Sequence, residues 1–212
     1  MATSSTLELR VNTKNAQRIL EIARDTGALL EGEFTLSSGK KSNHYFDGKM
    51  VTLSTEGAYL VGKVVFDELV GIDVDAVGGL AIGADPIATA VALVSHLEGK
   101  PIPAFIVREE PKQHGTRKKI EGHIKEGFRV AIVDDVITGG RSIDKAIEAV
   151  QEAGCEVVKV IALVDRHEGG SDKLRAAGYN FSSIIDLWPT GKVTIGKPST
   201  VTREVREGIL RR

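Results

Sequence analysis

Two adjacent carboxylates, Asp134 and Asp135, stand at the end of an apolar stretch and directly before a turn of glycine, threonine and serine. The stretch RVAIVDDVITGGRS covers residues 129–142. Glycines let the chain turn tightly and let an anion approach, and the start of the helix that should follow favours negative charge. The turn therefore predicts a phosphate site, although its two carboxylates should repel a phosphate.

A phosphorylated ribose reconciles the two halves of this motif. Carboxylates are strong acceptors for hydroxyl protons, so the acid pair can hold the 2- and 3-hydroxyls while the turn binds the 5-phosphate. The pair is also suited to orienting a hydrated Mg2+ through water. The alternative is a solvated acidic loop at a strand end. The residues expected to contact the ligand are Asp134, Asp135, Val136, Ile137, Thr138, Gly139, Gly140, Arg141 and Ser142.

Patterns of other phosphate and metal sites are absent from the sequence. It has no G-x-x-x-x-G-K-[ST] stretch and no G-x-G-x-x-G after a predicted strand, so nucleoside triphosphatase and dinucleotide-binding functions lack support. Cys155 is the only cysteine, which excludes an intrachain disulfide and a four-cysteine zinc site. No group of histidine, cysteine and carboxylate residues has the spacing of a transition-metal site.

Strands and helices alternate along the chain at the spacing of right-handed βαβ units. The strands are apolar at successive positions, as in residues 130–133, which is typical of parallel strands covered on both faces. This predicts an α/β fold: a doubly wound, mostly parallel sheet flanked by helices, with a small N-terminal hood, in a single domain of residues 1–212. The hood should span about residues 12–50, with a hairpin-like loop and short strands, and the core about 55–190. The acid pair would lie at the carboxyl end of a strand, where such sheets bind ligands.

The N-terminal segment predicts a loose start and then a helix. Residues 1–12 are expected to be loose, and Asn12 or Thr13 is suited to cap a helix that ends at Gly27. The buried face of that helix would comprise Ile19, Ile22 and Ala23.

Further along the chain, local patterns predict where the other elements begin and end. Ser54 or Thr55 is expected to cap a second helix, and Asp85 a third. The polar stretch 110–127 should be a long loop, and residues 179–186 the last strand.

The bulk composition is that of an ordinary soluble globular protein. The formal net charge of the 212 residues is -1, so an anion must be bound by a local cluster of charge. The N-terminus has no apolar signal region, and no run of about 18 apolar residues exists to span a bilayer. We expect a cytoplasmic protein with no nucleic-acid partner and no membrane contact.

The motif at 129–142 resembles the phosphoribosyl-diphosphate-binding signature of type I phosphoribosyltransferases. Four further stretches stand in the order and at about the spacing seen in orotate phosphoribosyltransferases: FTLSSGKKSNHYFD (34–47), GGLAIGADPIATA (78–90), VREEPKQHGTRKKIEG (107–122) and VDRHEGG (164–170). The resemblance runs from about residue 15 to residue 188. It implies transfer of a phosphoribosyl group from phosphoribosyl diphosphate to orotate, with Mg2+, to give orotidine 5-phosphate and diphosphate in pyrimidine (UMP) biosynthesis.

The resemblance also implies how the diphosphate is handled. Residues 109–122 would form a mobile lid that closes over the neighbouring subunit's site, which implies a homodimer. Arg108, Lys112 and His114 would contact the diphosphate and its leaving oxygen. Lys112 and His114 would act in catalysis together with Asp135.

The remaining implied roles concern the base and the charge near the phosphates. The turn 79–83 would run alongside the diphosphate and its Mg2+. Lys40 or Lys41 would supply positive charge near the phosphates. The residues that would bind orotate are Tyr45, Phe46, Thr138 and Arg166, of which Arg166 would pair with the orotate carboxylate.

The chemistry of such a transfer demands a lid independently of the resemblance. Displacing diphosphate from an anomeric carbon passes through a cationic ribosyl centre, which water would capture in an open site. Residues 108–126 suit this role because they are polar and basic, with Gly115 and Gly122 as hinges.

Two positions depart from the family pattern. Glu109 stands where many members carry lysine, and it should repel the diphosphate unless it turns away or pairs with Lys112. Ser37 stands where many members carry lysine, so Lys40 would carry more of that charge.

Several alternatives stay open at this point. Arg166 could form a structural ion pair with Asp165, and Tyr45 and Phe46 could simply pack the hood against the sheet. The chain could also be a purine phosphoribosyltransferase or a non-catalytic regulator that binds phosphoribosyl diphosphate.

Overall fold

The computed structural model describes residues 4–35, 41–110 and 119–196, with side chains from residue 13 onward. Its elements are α1 (Ser4–Asp25), β1 (Leu29–Thr35), β2 (Lys41–Phe46), α2 (Gly48–Thr52), α3 (Thr55–Leu69), β3 (Ala76–Leu80), α4 (Ala84–Leu97), β4 (Ala104–Val107), β5 (Ile120–Gly122), β6 (Arg129–Ile137), α5 (Arg141–Glu152), β7 (Glu156–Asp165), α6 (Gly170–Ala176), β8 (Phe181–Leu187) and β9 (Val193–Ile195).

A seven-stranded sheet in the order β5-β4-β3-β6-β7-β8-β9 forms the centre of the fold. The five inner strands are parallel, and β5 and β9 pair antiparallel at the two edges. This confirms the predicted mostly parallel sheet. The strands with consecutive apolar residues are the buried inner ones, because helices cover both of their faces.

The hydrophobic core lies in two layers, one on each face of the sheet. One layer joins α1, α3 and α4 to the sheet and includes Ile19, Val61 and Val91. The other joins α5 and α6 to it and includes Ile143 and Leu174. The predicted buried face of the first helix, with Ile19, Ile22 and Ala23, is confirmed.

The hood is a two-stranded antiparallel hairpin, β1 with β2, as the short strands of the N-terminal segment predicted. The prediction of a loose segment 1–12, followed by a helix capped at Asn12 or Thr13, is wrong for the described residues, because α1 already begins at Ser4. That segment is polar, but it holds no glycine or proline that would interrupt a helix.

Other boundaries also differ from the sequence-based predictions. Ser54 caps α3 as predicted, with its side chain accepting a hydrogen bond from the Gly57 N–H. Asp85 does not cap α4; Gly83 occupies that position and Asp85 lies in the first turn. The predicted long loop contains β5, and β9 follows the strand predicted to be the last. These edge strands have three residues each, too few for an apolar pattern to reveal them.

Among the described residues, no helix combines the length and apolar character needed to cross a bilayer.

Candidate active site

The acid pair lies near the carboxyl end of β6, the central strand, and the turn behind it leads directly into α5. Gly140 is the N-cap of α5 with φ 86°, a left-handed conformation that favours glycine. No side chain caps the first turn, so the N–H groups there can donate to a ligand. Thr138, Gly139, Arg141 and Ser142 are exposed.

The turn is held from behind by the start of α6. The Gly170 N–H donates to the carbonyl of Thr138 at 2.9 Å. A Cβ at Gly170 would stand 2.5 Å from that carbonyl oxygen and 2.7 Å from the Gly140 nitrogen. The glycine at this position therefore lets the acid-pair turn and the start of α6 touch through their backbones.

Asp134 and Asp135 are 6% and 8% exposed, so both carboxylates are largely removed from water. Burial, and after it the neighbouring Asp135 charge, raise the pKa of Asp134 to about 7. One opposing contact is the Asp135 N–H, which donates to Asp134 Oδ1 at 3.0 Å. At neutral pH the Asp134 carboxyl is therefore near the midpoint of its titration.

The carboxylate of Asp135 is enclosed by two glycines and one lysine. A Cβ at Gly48 would lie 2.8 Å from the Asp135 Cβ, and one at Gly83 would lie 2.6 Å from Asp135 Oδ1. Lys49 Nζ donates to Asp135 Oδ2 at 3.0 Å. The contact of Lys49 with the acid pair was missed by the sequence analysis, since the only sequence signal was a lysine between the hood and the next helix.

Arg166 follows β7 and points toward the hood. Its Nη2 donates to Ser42 Oγ at 2.7 Å, and its Nε lies 3.1 Å from Glu168 Oε1. The backbone N–H of Arg166 donates to the Ile137 carbonyl at 3.1 Å, which ties this residue to the acid-pair turn. The observed ion-pair partner of Arg166 is therefore Glu168, and Asp165 instead contacts His167.

A cavity of about 380 Å³ opens beside Arg166. Cationic Lys41 and Arg166, acidic Glu33 and Glu168 and the aromatic ring of Trp188 contribute to its wall. The ring suits a flat ligand, and Arg166 can pair with a carboxylate on it. The lining residues are Glu33, Lys41, Ser42, Asn43, His44, Arg166, Glu168, Leu187, Trp188 and Pro189.

The Trp188 wall is braced by neighbouring side chains that the sequence analysis did not assign. The His167 ring stacks on Trp188 with 3.7 Å between centroids and 9° between planes. Trp188 Nε1 donates to Thr194 Oγ1 at 3.0 Å. One side-chain oxygen or nitrogen from each of Asp165, His167 and Asp186 lies within 4.8 Å of the others, a grouping that could hold a metal ion. The sequence hides this grouping because the second aspartate comes from the next strand.

The hood aromatics take different positions. Tyr45 is exposed, and its ring lies 6.1 Å from that of Phe34. Phe46 is buried in the hydrophobic core, so it packs the hood against the sheet. His44, which had no predicted role, lies with Nε2 3.1 Å from the Gly191 carbonyl oxygen and anchors the hairpin beside the cavity.

Two pieces of the predicted lid are described, residues 109–110 and 119–122, and the second contains β5. The Arg108 N–H donates to the Lys119 carbonyl at 2.9 Å, and the Arg108 guanidinium lies 3.6 Å from Glu121. Glu109 forms an ion pair with Lys145 on α5, so it turns toward that helix. The predicted site residues Lys40, Lys112 and His114 lie outside the described residues.

The chain is similar in sequence to known proteins. The sequence profile of the phosphoribosyl transferase domain family matches residues 58–191. The chain is 46% identical over 157 residues to an orotate phosphoribosyltransferase of Aquifex aeolicus, covering 74% of this chain and 86% of the relative. It is 45% identical over 161 residues to one of Nostoc sp., covering 76% of this chain and 78% of the relative.

A solved structure is similar as well. Mycobacterium tuberculosis orotate phosphoribosyltransferase in complex with 5-phospho-alpha-D-ribosyl 1-diphosphate matches with a TM-score of 0.68 and 36% identity. The match covers 82% of this chain and 96% of that one.

Proposed function

The chain belongs to the phosphoribosyltransferases, and among them to the orotate phosphoribosyltransferases; from that membership we propose that it converts orotate and phosphoribosyl diphosphate into orotidine 5-phosphate and diphosphate. The observation that carries the proposal is the meeting of the acid-pair turn and Arg166 at one edge of the sheet, joined by the hydrogen bond from the Arg166 N–H to the Ile137 carbonyl. The product places this reaction in pyrimidine biosynthesis.

The sugar end of the substrate would be bound by the acid-pair turn. Exposed backbone N–H groups and the hydroxyls of Thr138 and Ser142 would hold the 5-phosphate. Asp134 and Asp135 would accept hydrogen bonds from the ribose hydroxyls. Their negative charge would also favour the cationic ribosyl centre that develops as the bond to diphosphate breaks.

The base end would lie toward Arg166. The guanidinium would pair with the orotate carboxylate, exchanging part of its present contact with Ser42 and Glu168. Exposed Thr138 and Tyr45 would complete the base site, whereas the burial of Phe46 supports a packing role for that ring. Orotate N1 would then form a bond with the anomeric carbon, and the departing diphosphate would take up the N1 proton.

The departing diphosphate would be met by the lid. Arg108, Lys112 and His114 would place positive charge and hydrogen-bond donors on the leaving oxygen. The ion pair of Glu109 with Lys145 supports this arrangement, because it directs the carboxylate toward α5 and relieves the repulsion expected from its charge.

Mg2+ is part of this proposal. The acid pair fits the water shell of a hydrated ion better than direct ligation, since Asp135 Oδ2 and Asp134 Oδ1 already accept hydrogen bonds. A bound Mg2+ supplies neutralisation of the negative charge that grows on the leaving diphosphate.

A homodimer is also proposed. Large apolar side chains are exposed on α2, the α2–α3 turn, α3 and α4, where a second copy would cover them: Met50, Leu53, Tyr59, Leu93 and Leu97. The lid of one subunit would then reach the site of the other. We further propose a cytoplasmic location, because substrates with several negative charges do not cross a membrane unaided.

The loss of the orotate absorbance band in the presence of phosphoribosyl diphosphate and Mg2+ tests the function. Turnover with orotate, and with none of adenine, guanine or hypoxanthine, is the expected result. Turnover of a purine alone would contradict the proposal, as would tight binding of the sugar diphosphate without turnover of any base.

A further inference from the structure

Lys49 lies at the junction between the hood and the core. It belongs to α2, the single turn that follows β2, whose N-cap Asp47 accepts a hydrogen bond from the Lys49 N–H at 3.1 Å. This cap directs the Lys49 side chain toward β6, where Nζ meets Asp135 Oδ2 at 3.0 Å. Asp47 Oδ1 lies 3.7 Å from the same ammonium.

The Asp135 carboxylate is confined in this contact, whereas the Lys49 side chain is partly open to solvent. Asp135 is confined between Gly48 and Gly83, where a Cβ on either glycine would collide with it. The Lys49 side chain is 42% exposed, so it reaches both the acid pair and the open edge of the sheet. The more exposed partner can therefore turn toward a ligand while the carboxylate stays in place.

The charges around this contact explain why a cation is needed there. Asp47, Asp134 and Asp135 all lie close to the Lys49 ammonium. Two adjacent buried carboxylates repel each other and a multiply charged anion such as phosphoribosyl diphosphate. A lysine beside them reduces both repulsions at once, and its flexible stem suits contact with a phosphate.

We propose that Lys49 is a positioning residue for the sugar diphosphate. It donates a hydrogen bond to one oxygen of the Asp135 carboxylate and offsets the charge of the acid pair when the anion binds. The inference rests on the proposed function, because it assigns the acid pair to the ribose. It concerns binding of the anion more than the chemical step, since a positive charge gives no help to a cationic ribosyl centre.

Steady-state kinetics of Lys49→Gln distinguish this role from a structural one. We expect the KM for phosphoribosyl diphosphate to rise about tenfold, which corresponds to about 1.4 kcal/mol. The KM for orotate and the turnover number should change less than about threefold. Lys49→Arg, which keeps the charge, should restore the KM to within about threefold of the wild type.

Lys63→Gln is the matched control, because Lys63 is a lysine on α3 that forms comparable ion pairs with Asp67 and Glu98. It should leave both KM values unchanged. Lys49→Met, which retains the aliphatic stem, serves as a second variant if Lys49→Gln does not fold. An unchanged KM for the sugar diphosphate in the folded Lys49 variants, or an equal loss for both substrates, would overturn the inference.

Calorimetric titration with phosphoribosyl diphosphate and Mg2+ in the absence of orotate separates this inference from the proposed function. Binding weakened about tenfold in Lys49→Gln would support the role of Lys49 even if orotate were not turned over. Binding of equal strength in the variant and the wild type would reject it even if orotate were turned over normally.

Discussion

Asp134 is the residue at which stability and function conflict most directly. Its carboxyl is buried beside a second carboxylate, and its pKa is raised to about 7. Folding therefore costs more when this group is ionised than when it is protonated. A buried acid of this kind is retained for what it binds and costs the fold stability.

Asp134→Asn should stabilise the protein at pH 8 by roughly 2–4 kcal/mol. The contribution of the wild-type carboxyl is greatest below its unfolded pKa near 4 and is lost as pH rises through about 7. The gap between variant and wild type should therefore shrink as pH falls from 8 to 5. Urea unfolding across this range measures it, with exposed Asp172→Asn as the control; a pH-independent gap would contradict the argument.

Arg166 and Trp188 allow a residue-scale test of the base site. Trp188 is the only tryptophan of the chain and lines the cavity beside Arg166, so orotate binding there should change the intrinsic fluorescence. Arg166→Gln should weaken orotate binding by at least about tenfold, because it removes a charge-assisted pair. Arg175→Gln, an exposed arginine on α6, should bind orotate normally. No fluorescence change at saturating orotate would place the base elsewhere.

At the scale of elements, the acid-pair turn depends on the start of α6. Both segments leave the carboxyl edge of the sheet, and the contact between Gly170 and Thr138 joins them. The sheet fixes the strands to which they are attached, so a displacement in one loop passes to the other rather than into the core.

Gly170→Ala should disturb the acid-pair turn without unfolding the protein. Its Cβ would meet the Thr138 carbonyl at 2.5 Å, and the turn must shift to make room. We expect the KM for phosphoribosyl diphosphate to rise about tenfold, with a smaller rise in the KM for orotate, because Thr138 also belongs to the proposed base site. Asp172→Ala, an exposed change in the same helix, should behave as the wild type. Equal kinetics for both variants would show that the turn tolerates the added methyl group.

At the scale of the whole molecule, the doubly wound sheet brings the carboxyl ends of its inner strands to one edge. The acid pair and Arg166 come from neighbouring strands, β6 and β7. The hood reaches the same edge through the hydrogen bond between Arg166 and Ser42. The proposed lid would complete this site from a second copy of the chain.

Mixing two inactive variants tests whether the lid crosses between subunits. Lys112→Ala removes a lid residue and Asp135→Asn removes an acid-pair residue, so each homodimer should be nearly inactive. In a mixed dimer, a shared lid would rebuild one intact site, and random exchange should restore about a quarter of wild-type activity. A lid that serves its own subunit would restore none. Light scattering on the wild type and each variant checks that the proposed dimer forms.

The amino-acid sequence by itself determined the parts of this protein that depend on neighbours along the chain. Runs of apolar residues defined the inner strands, because a buried parallel strand is apolar on both faces. The order of strand, acid pair, glycine turn and helix defined the acid-pair turn, because each step constrains the next few residues. The sheet topology confirms the predicted fold class, and the family match confirms the predicted family.

The tertiary structure alone decided which distant side chains meet. Lys49 and Asp135 are 86 positions apart, and Arg166 and Ser42 are 124 apart. The pairing of Glu109 with Lys145 and the short edge strand β9 likewise depend on how helices and strands pack. Such contacts carry no local pattern, because their partners come together only after the sheet has formed and fixed the directions of the chain.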